Sequence, residues 1–261
     1  MTNDDPFAAR PGDQTPPPPP PASSPPPPPA FPATPGIIPG AAPPPAPAYG
    51  EGMQVQFDRS GVPLEKPEGL AKGLIGVAAG FTVVSVLIAV SAQGSVDSIR
   101  RMAESNELEF SAGDLLSLLT TPLLVTSYIL YGIWMSRMRR NREALGARPG
   151  MGAVEWWGWF IPLASAVLIP IGASKVAGRT VGVGLLLGWW IPWILAGLVQ
   201  GVGSAALQLS LDLQTGELAY PERLDVYPAL MWAAAALIVI SFVFFMRFIR
   251  AATDRHLDPG A

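Results

Sequence analysis

The side chains able to do chemistry are few in this chain of 261 residues, and their types exclude several kinds of site. There is no cysteine, which excludes disulfides, thiolate metal sites and a cysteine nucleophile. The single histidine, His256, lies in a polar stretch beside Arg255 and Asp258, so a multi-histidine metal site is excluded. Neither paired carboxylates nor a phosphate-binding loop stands out from the background. The sequence therefore predicts a non-enzymatic protein with no cofactor and no metal.

Long apolar runs dominate the chain after residue 68 and contain no charged residue. Three of them, residues 73–96, 115–136 and 226–246, have the length of about 20 residues that a helix needs to cross a bilayer. The uncharged run at 180–211 is longer than one crossing requires. We place its span at 189–211, because a cluster of tryptophans at its start is typical of the membrane interface. Ion-coupled transporters and voltage sensors usually carry ionisable residues inside their spans. The charge-free spans disfavour those classes.

Residues 156–174 form a further uncharged segment, and the distribution of positive charge indicates whether it crosses. If it crosses, the chain has five spans, with ten Lys and Arg residues inside and seven outside. If it does not, the split becomes fourteen to three, in better agreement with the positive-inside rule. We therefore predict an all-α polytopic membrane bundle with four transmembrane helices. Its transmembrane domain covers residues 69–250, and residues 251–261 form a short cytosolic tail.

The composition of residues 156–174 suits a segment that lies in the interface or dips into the membrane and returns. Tryptophan prefers the headgroup level, and each proline removes one intrahelical hydrogen bond. A broken helix at membrane depth is tolerated only where protein or water covers it. The alternative is an ordinary span that the prolines merely kink. The residues concerned are Trp156, Trp157, Trp159, Pro162 and Pro170.

Four arginines follow the second predicted span directly: Arg137, Arg139, Arg140 and Arg142. We interpret them first as a topology anchor and second as a site that attracts anionic headgroups. Glu155, the one acid beside the tryptophan cluster, is expected to be a plain interfacial acid. Pairing with an arginine of the preceding loop and a response to pH are the alternatives.

Two pairs of glycines spaced four residues apart, and one amide between them, indicate helix packing. Gly76 and Gly80 lie in the first span, and Gly197 and Gly201 in the third, where they flank Gln200. Small residues at this spacing allow close approach of two helices, and a mid-span amide seeks a partner on another helix. We expect packing within the chain first and a homo-oligomer second.

Residues 1–68 have a different composition, with 20 of the 30 prolines in the first 50 residues. Proline fixes φ and removes backbone donors, so we predict a disordered proline-rich cytosolic tail. We favour a semi-rigid spacer for this tail. The alternative is a docking strip for the aromatic-lined groove of a cytosolic protein partner.

The stretch 139–164, RRNREALGARPGMGAVEWWGWFIPLA, resembles the bacterial domain-of-unknown-function 4328 family. The specific part is Arg140-Asn141 together with Gly158-Trp159-Phe160-Ile161-Pro162-Leu163, and Gly188-Trp189-Trp190 is similar too. The resemblance covers residues 70–250. It implies two spans before an arginine-rich turn, a Trp/Pro-rich segment after it, further spans, and a multi-pass protein of a bacterial plasma membrane. It supplies no catalytic residue.

These observations favour a non-enzymatic scaffold or regulatory membrane protein, with both termini in the cytosol and the lipid bilayer as its first partner. A small-solute permease or channel subunit is the alternative, built around the segments that contain Pro162, Pro170 and Pro192. A net charge of −3 offers no electrostatic basis for a nucleic-acid partner.

Overall fold

The structure, a computed structural model, describes residues 57, 61, 63–105, 109–161, 164–178, 181–210 and 218–257. Most of the predicted tail at 1–68, and Pro162, lie outside these residues. The regular elements of the described chain are all helices. They are α1 (Glu68–Ser105), α2 (Ala112–Ser117), α3 (Thr120–Ala144), α4 (Val154–Trp157), a 3₁₀ turn (Gly158–Phe160), α5 (Ser165–Ala177), α6 (Val183–Gln208) and α7 (Glu222–Arg255).

Four helical stretches are long and apolar enough to cross a membrane, which confirms the predicted all-α bundle of four spans. They are α1, α2 together with α3 (Ala112–Ala144), α6 and α7. α1 and α7, with 38 and 34 residues, measure about 57 and 51 Å at 1.5 Å per residue. Both therefore extend well beyond a hydrocarbon core of about 30 Å.

The second span is interrupted by a short turn between α2 and α3, and proline chemistry explains its place. Pro122 has no N–H to donate to the carbonyl of Leu118, four residues earlier, so the helical ladder opens there. The start of α2 is closed by a capping box. The Ser111 hydroxyl accepts a hydrogen bond from the Asp114 N–H at 3.2 Å, and Asp114 Oδ2 accepts from the Ser111 N–H at 2.8 Å.

α6 begins six residues before the predicted third span. Residues 183–188, which precede the predicted span, are helical, and Leu186 among them is buried in the core. Pro192 lies inside the helix without ending it. A neighbouring carbonyl, that of Trp189, accepts a hydrogen bond from the Ser241 hydroxyl of α7 at 2.9 Å. This hydrogen bond joins α7 to α6 beside the proline.

The helices pack as an antiparallel bundle in which α6 and α7 make the most extensive contact and α1 packs on α7 and on α3. The backbone of α3 comes close to the backbones of α6 and α7 at few positions. The main core lies where α1 and α6 begin and α3 and α7 end, and it contains Trp134, Trp189, Phe248 and Ile249.

We call this end of the bundle the cationic end, because it carries eleven of the fourteen described Lys and Arg residues. Only three, at the ends of α1 and α7, lie at the other end: Arg100, Arg101 and Arg223. The asymmetry predicted for four spans is therefore present in the described chain. The eleven are Lys66, Lys72, Arg137, Arg139, Arg140, Arg142, Arg148, Lys175, Arg247, Arg250 and Arg255.

Candidate functional site

The Trp/Pro-rich segment enters the cationic end of the bundle beside α3 and returns beside α6. α5, its longest helix, has 13 residues and measures about 20 Å, too short to cross a core of about 30 Å. This length agrees with the predicted segment that does not cross and disfavours the alternative of an ordinary kinked span. We call residues 150–177 the re-entrant segment.

Contacts along α3 show how deep the re-entrant segment reaches. The carbonyl of Gly150 accepts a hydrogen bond from Arg139 near the end of α3. The indole ring of Trp156 packs against Gly132, where a Cβ atom would lie only 2.6 Å from the ring. The carbonyl of Trp156 accepts a hydrogen bond from the Tyr128 hydroxyl at 2.9 Å. Arg139 and Tyr128 are separated by about 16 Å of helix, so the segment rises by that distance along α3.

Pro170 removes one intrahelical hydrogen bond, as the sequence predicts, without ending the helix. α5 is continuous through Pro170. The missing N–H frees the carbonyl of Ala166, four residues earlier, and the indole N–H of Trp190 donates to that carbonyl at 2.7 Å. A donor from α6 thus satisfies the acceptor that proline left open, and it also fixes α5 against α6.

A buried ion pair holds the entry of the segment. Arg139 Nη2 lies 2.7 Å from Glu155 Oε2 and Arg139 Nε lies 3.3 Å from Oε1, while Nη1 donates to the Gly150 carbonyl at 2.7 Å. The side chains are 9% and 2% exposed. The Ser136 hydroxyl donates to Glu155 Oε1 at 3.1 Å and accepts from the indole N–H of Trp156 at 3.0 Å. Both charges are therefore hydrogen-bonded on several sides, which offsets the cost of their desolvation.

The expectation of a plain interfacial acid at Glu155 is wrong, and the alternative of pairing with an arginine is what the geometry shows. Arg139 likewise faces the protein interior instead of the headgroups. Helical periodicity explains the division, because successive residues of α3 differ in direction by about 100°. Arg137 and Arg140 are exposed, and Arg142 is half-buried. For these three the anchoring role stays a prediction.

His256, to which the sequence assigned no role, is fully buried at the end of α7. α7 continues to Arg255, so the first five residues of the predicted C-terminal tail, 251–255, are helical. His256 Nδ1 lies 2.9 Å from the Thr253 carbonyl and Nε2 lies 3.0 Å from Asn141 Nδ2. A carbonyl must accept and an amide nitrogen must donate, so the ring is neutral with its proton on Nδ1.

The same cluster fastens the chain that precedes α1. Asn141 Nδ2 also donates to the Glu65 carbonyl at 3.0 Å, and Lys66 Nζ donates to the Asp254 carbonyl at 2.6 Å. Close by, the indole N–H of Trp134 donates to the Thr253 hydroxyl at 3.0 Å. We call the set around His256 and Asn141 the C-terminal lock, since it joins the ends of α3 and α7 to the start of α1.

We expect the C-terminal lock to lose stability in mild acid. Burial, followed by the charges of Lys66 and Arg142, lowers the pKa of His256 below its ordinary value of about 6.5. The unfolded chain therefore binds a proton that the folded chain excludes. The free energy of unfolding should be highest above pH 6.5 and fall as the pH drops below it.

The measurement is the free energy of unfolding in detergent micelles across this pH range, for the wild type and for His256→Gln. Glutamine does not titrate, so the variant should lack the part of the pH dependence that His256 supplies. An identical pH profile for both proteins would contradict the assignment.

A cavity of about 520 Å³ lies beyond the tip of the re-entrant segment, between α3 and the other three spans. Nearly all of its lining is apolar, and aromatic rings from five elements contribute to it. They include Phe81 of α1, Tyr128 and Tyr131 of α3, Trp159 of the 3₁₀ turn and Trp193 of α6. The bulk of these rings explains why α3 stands apart from α6 and α7. The volume falls within the range of about 300–1,000 Å³ that is typical of ligand pockets.

The glycines predicted to pack helices within the chain mostly do not do so. A Cβ atom on Gly80 would make an ordinary contact of 3.6 Å with Leu123, but Gly76, Gly197 and Gly201 have open space beside them. Gln200 is half-buried, and no hydrogen bond joins its amide to any described residue. The second interpretation, a face for another copy of the chain, stays a prediction for these residues.

Within the described residues, no group of three or more His, Asp or Glu side chains lies close enough to hold a metal ion. Comparison of the chain with protein-family models, with curated proteins and with solved structures gave no match. The described chain is a multi-pass α-helical membrane bundle with a re-entrant segment, a buried ion pair and an aromatic cavity.

Proposed function

We propose that this protein is a non-enzymatic scaffold or regulatory protein of a bacterial plasma membrane, with proline-rich residues 1–68 reaching a protein partner in the cytosol. The observation that carries the proposal is the shared position of three features at the cationic end. The start of α1, the end of α7 and the re-entrant segment all meet there. An excess of Lys and Arg marks the cytosolic side of a membrane protein, so this end faces the cytosol.

The C-terminal lock supports a scaffold role because it fixes the point from which the tail leaves the bundle. Glu65 and Lys66, which directly precede α1, are hydrogen-bonded to α3 and α7. A tail rooted in this way starts from a defined position on the cytosolic face, and a proline-rich chain extends by about 3.1 Å per residue from there. A partner held by the tail would meet the exposed arginines Arg137 and Arg140.

We also propose membership of the domain-of-unknown-function 4328 family, which rests on the motif residues alone. In the fold, these residues lie where separate elements of the bundle meet. Asn141 belongs to the C-terminal lock, while Gly158 and Trp159 form the tip of the re-entrant segment. A motif whose residues join distant parts of the bundle fits a family defined by a shared membrane fold.

The tail can be tested with two variants of the full chain. In one, residues 1–60 are deleted; in the other, they are replaced by a Gly/Ser linker of equal length. If the prolines themselves dock, in-cell crosslinking should recover the partner with the wild type but with neither variant. Recovery with the wild type and the Gly/Ser variant, but not with the deletion variant, assigns the tail as a spacer. Recovery of the same partner with the deletion variant would refute the proposal, provided that both variants insert equally well.

The absence of cysteine makes the orientation testable with single-cysteine variants. Ser174 is exposed on α5 at the cationic end, and Glu104 is exposed near the end of α1 at the opposite end. We expect Ser174→Cys to be protected from a membrane-impermeant thiol reagent in intact cells and labelled once the cells are opened. Glu104→Cys should be labelled in intact cells. The reverse pattern would place both termini outside, and labelling of both in intact cells would contradict four spans.

The alternative of a small-solute permease has weaker support. The carbonyl that Pro170 frees is hydrogen-bonded to Trp190, and the Trp189 carbonyl near Pro192 is bonded to Ser241. These groups are therefore engaged within the protein and do not line a polar path. The cavity is apolar as well. Solute flux into reconstituted vesicles that is lost on Pro192→Ala would favour the permease over the scaffold.

A further inference from the structure

The aromatic cavity has the depth of one lipid leaflet. Measured along α1, its lining runs from Leu74 to Thr82, about 3 to 15 Å beyond Lys72. Measured along α7, it runs from Phe245 to Ile238, about 3 to 14 Å from Arg247. Lys72 and Arg247 are exposed charges that mark the membrane boundary at the cationic end. Half of a hydrocarbon core of about 30 Å is the same depth, so the cavity extends from the boundary to the midplane.

The cavity also opens to the side, where the bilayer lies. Val125 on α3 lines the cavity and is 50% exposed, and Phe160 at the tip of the re-entrant segment lines it and is 74% exposed. α3 makes few backbone approaches to α6 and α7, which leaves the gap through which the cavity communicates with the exterior. The matter outside an apolar opening at this depth is acyl chain.

Three hydroxyl groups in the lining are engaged within the protein. The Thr82 hydroxyl donates to the Ala78 carbonyl, the Ser241 hydroxyl to the Trp189 carbonyl, and the Tyr128 hydroxyl to the Trp156 carbonyl. Two groups differ from these. The hydroxyl of Tyr131 and the indole N–H of Trp159 are buried without a hydrogen-bond partner.

Tyr131 and Trp159 are neighbours at the shallow part of the cavity. Their ring centroids lie 6.0 Å apart, Tyr131 is 3% exposed, and Trp159 also packs on Trp190 near the start of α6. Buried donors of this kind usually have a partner. Both atoms are fully buried, so an ester carbonyl, the acceptor that phospholipids carry at that level, reaches them only once the Tyr131 and Trp159 side chains turn towards the cavity.

We propose that the cavity binds one phospholipid from the leaflet at the cationic end, with an acyl chain along the cavity and an ester carbonyl accepting hydrogen bonds from Tyr131 and Trp159. The site does not depend on the scaffold role or on any partner of the tail. It accounts together for the depth of the cavity, its lateral opening, its apolar lining and its two unpartnered donors.

Native mass spectrometry of the full chain after detergent exchange tests the proposal, with a defined diacyl phospholipid added back. Ala78→Phe places a ring inside the cavity, and Ala236→Phe makes the same change at an exposed position of α7 outside it. We expect one retained phospholipid per wild-type chain, at least tenfold less for Ala78→Phe and no change for Ala236→Phe. Tyr131→Phe should weaken retention about 2–10-fold through loss of one donor.

A measurement on the wild type keeps the test valid if Ala78→Phe does not fold. A phospholipid with a photoreactive diazirine near the end of one chain should crosslink to the deep lining, at Leu124 and Ile238. Crosslinks confined to lipid-facing positions outside the cavity, such as Val90 and Leu198, would overturn the proposal. Equal retention by the wild type and Ala78→Phe would overturn it too. Retention of an ester-free lipophile in place of phospholipid would refute this occupant.

Discussion

Replacing Arg139 with alanine should lower the free energy of unfolding by about 3–5 kcal/mol, the range seen when one partner of a buried ion pair is removed. The cause is the carboxylate of Glu155, which is 2% exposed and would stay buried with only the Ser136 hydroxyl as a side-chain donor. The Gly150 carbonyl would lose its donor as well. Reversible unfolding in mixed micelles, followed by far-ultraviolet circular dichroism, measures the change.

Arg140→Ala is the matched control, because Arg140 is the next residue of α3 and is exposed. We expect it to change the free energy of unfolding by no more than about 0.5 kcal/mol. The double variant Arg139→Met with Glu155→Met should recover much of the loss, since apolar side chains can replace a buried ion pair at little cost. Equal effects of Arg139→Ala and Arg140→Ala would show that the pair does not hold the re-entrant segment.

Replacing Trp134 with alanine should cost about 3–5 kcal/mol, the range for a large aromatic side chain removed from a core. Trp134 is fully buried at the cationic end. Its ring packs edge-on against Phe248 with centroids 6.3 Å apart, and its indole N–H donates to the Thr253 hydroxyl. The variant leaves a cavity between α3 and α7 and removes a hydrogen bond beside the C-terminal lock.

Trp232→Ala is the control for size and chemistry, because Trp232 lies on α7 with 52% of its surface exposed. We expect a change of about 0.5 kcal/mol or less in the free energy of unfolding. Thermal unfolding with the same optical probe should separate the two variants clearly. Comparable losses for Trp134→Ala and Trp232→Ala would mean that the core at the cationic end is not packed as described.

The two tryptophans show where sequence reasoning reaches its limit in this protein. Both stand in apolar runs, and neither run distinguishes a side chain that faces a neighbouring helix from one that faces lipid. In a soluble protein polar residues mark the outer face, but lipid is as apolar as a protein core. The glycines at Gly197 and Gly201 failed as an indication of packing within the chain for the same reason, since they lie beside open space.

The number of spans and the distribution of charge between the two ends were determined by the sequence alone. A helix can cross the membrane when about 20 consecutive residues are apolar. The orientation follows from how many Lys and Arg residues lie in the connections on each side. Both are local properties of the chain. The same counting assigned residues 156–174 to a segment that does not cross, and the 13 residues of α5 agree with it.

Only the tertiary structure decided which polar groups meet. Glu155 pairs with Arg139 across 16 residues, His256 meets Asn141 across 115, and Trp190 of α6 satisfies the carbonyl that Pro170 freed in α5. These contacts depend on the rotation of each helix about its axis and on the distance between helices, which bulky aromatic rings set. The cavity follows from the same cause, because the rings that fill one end of the bundle hold α3 away from α6 and α7 at membrane depth.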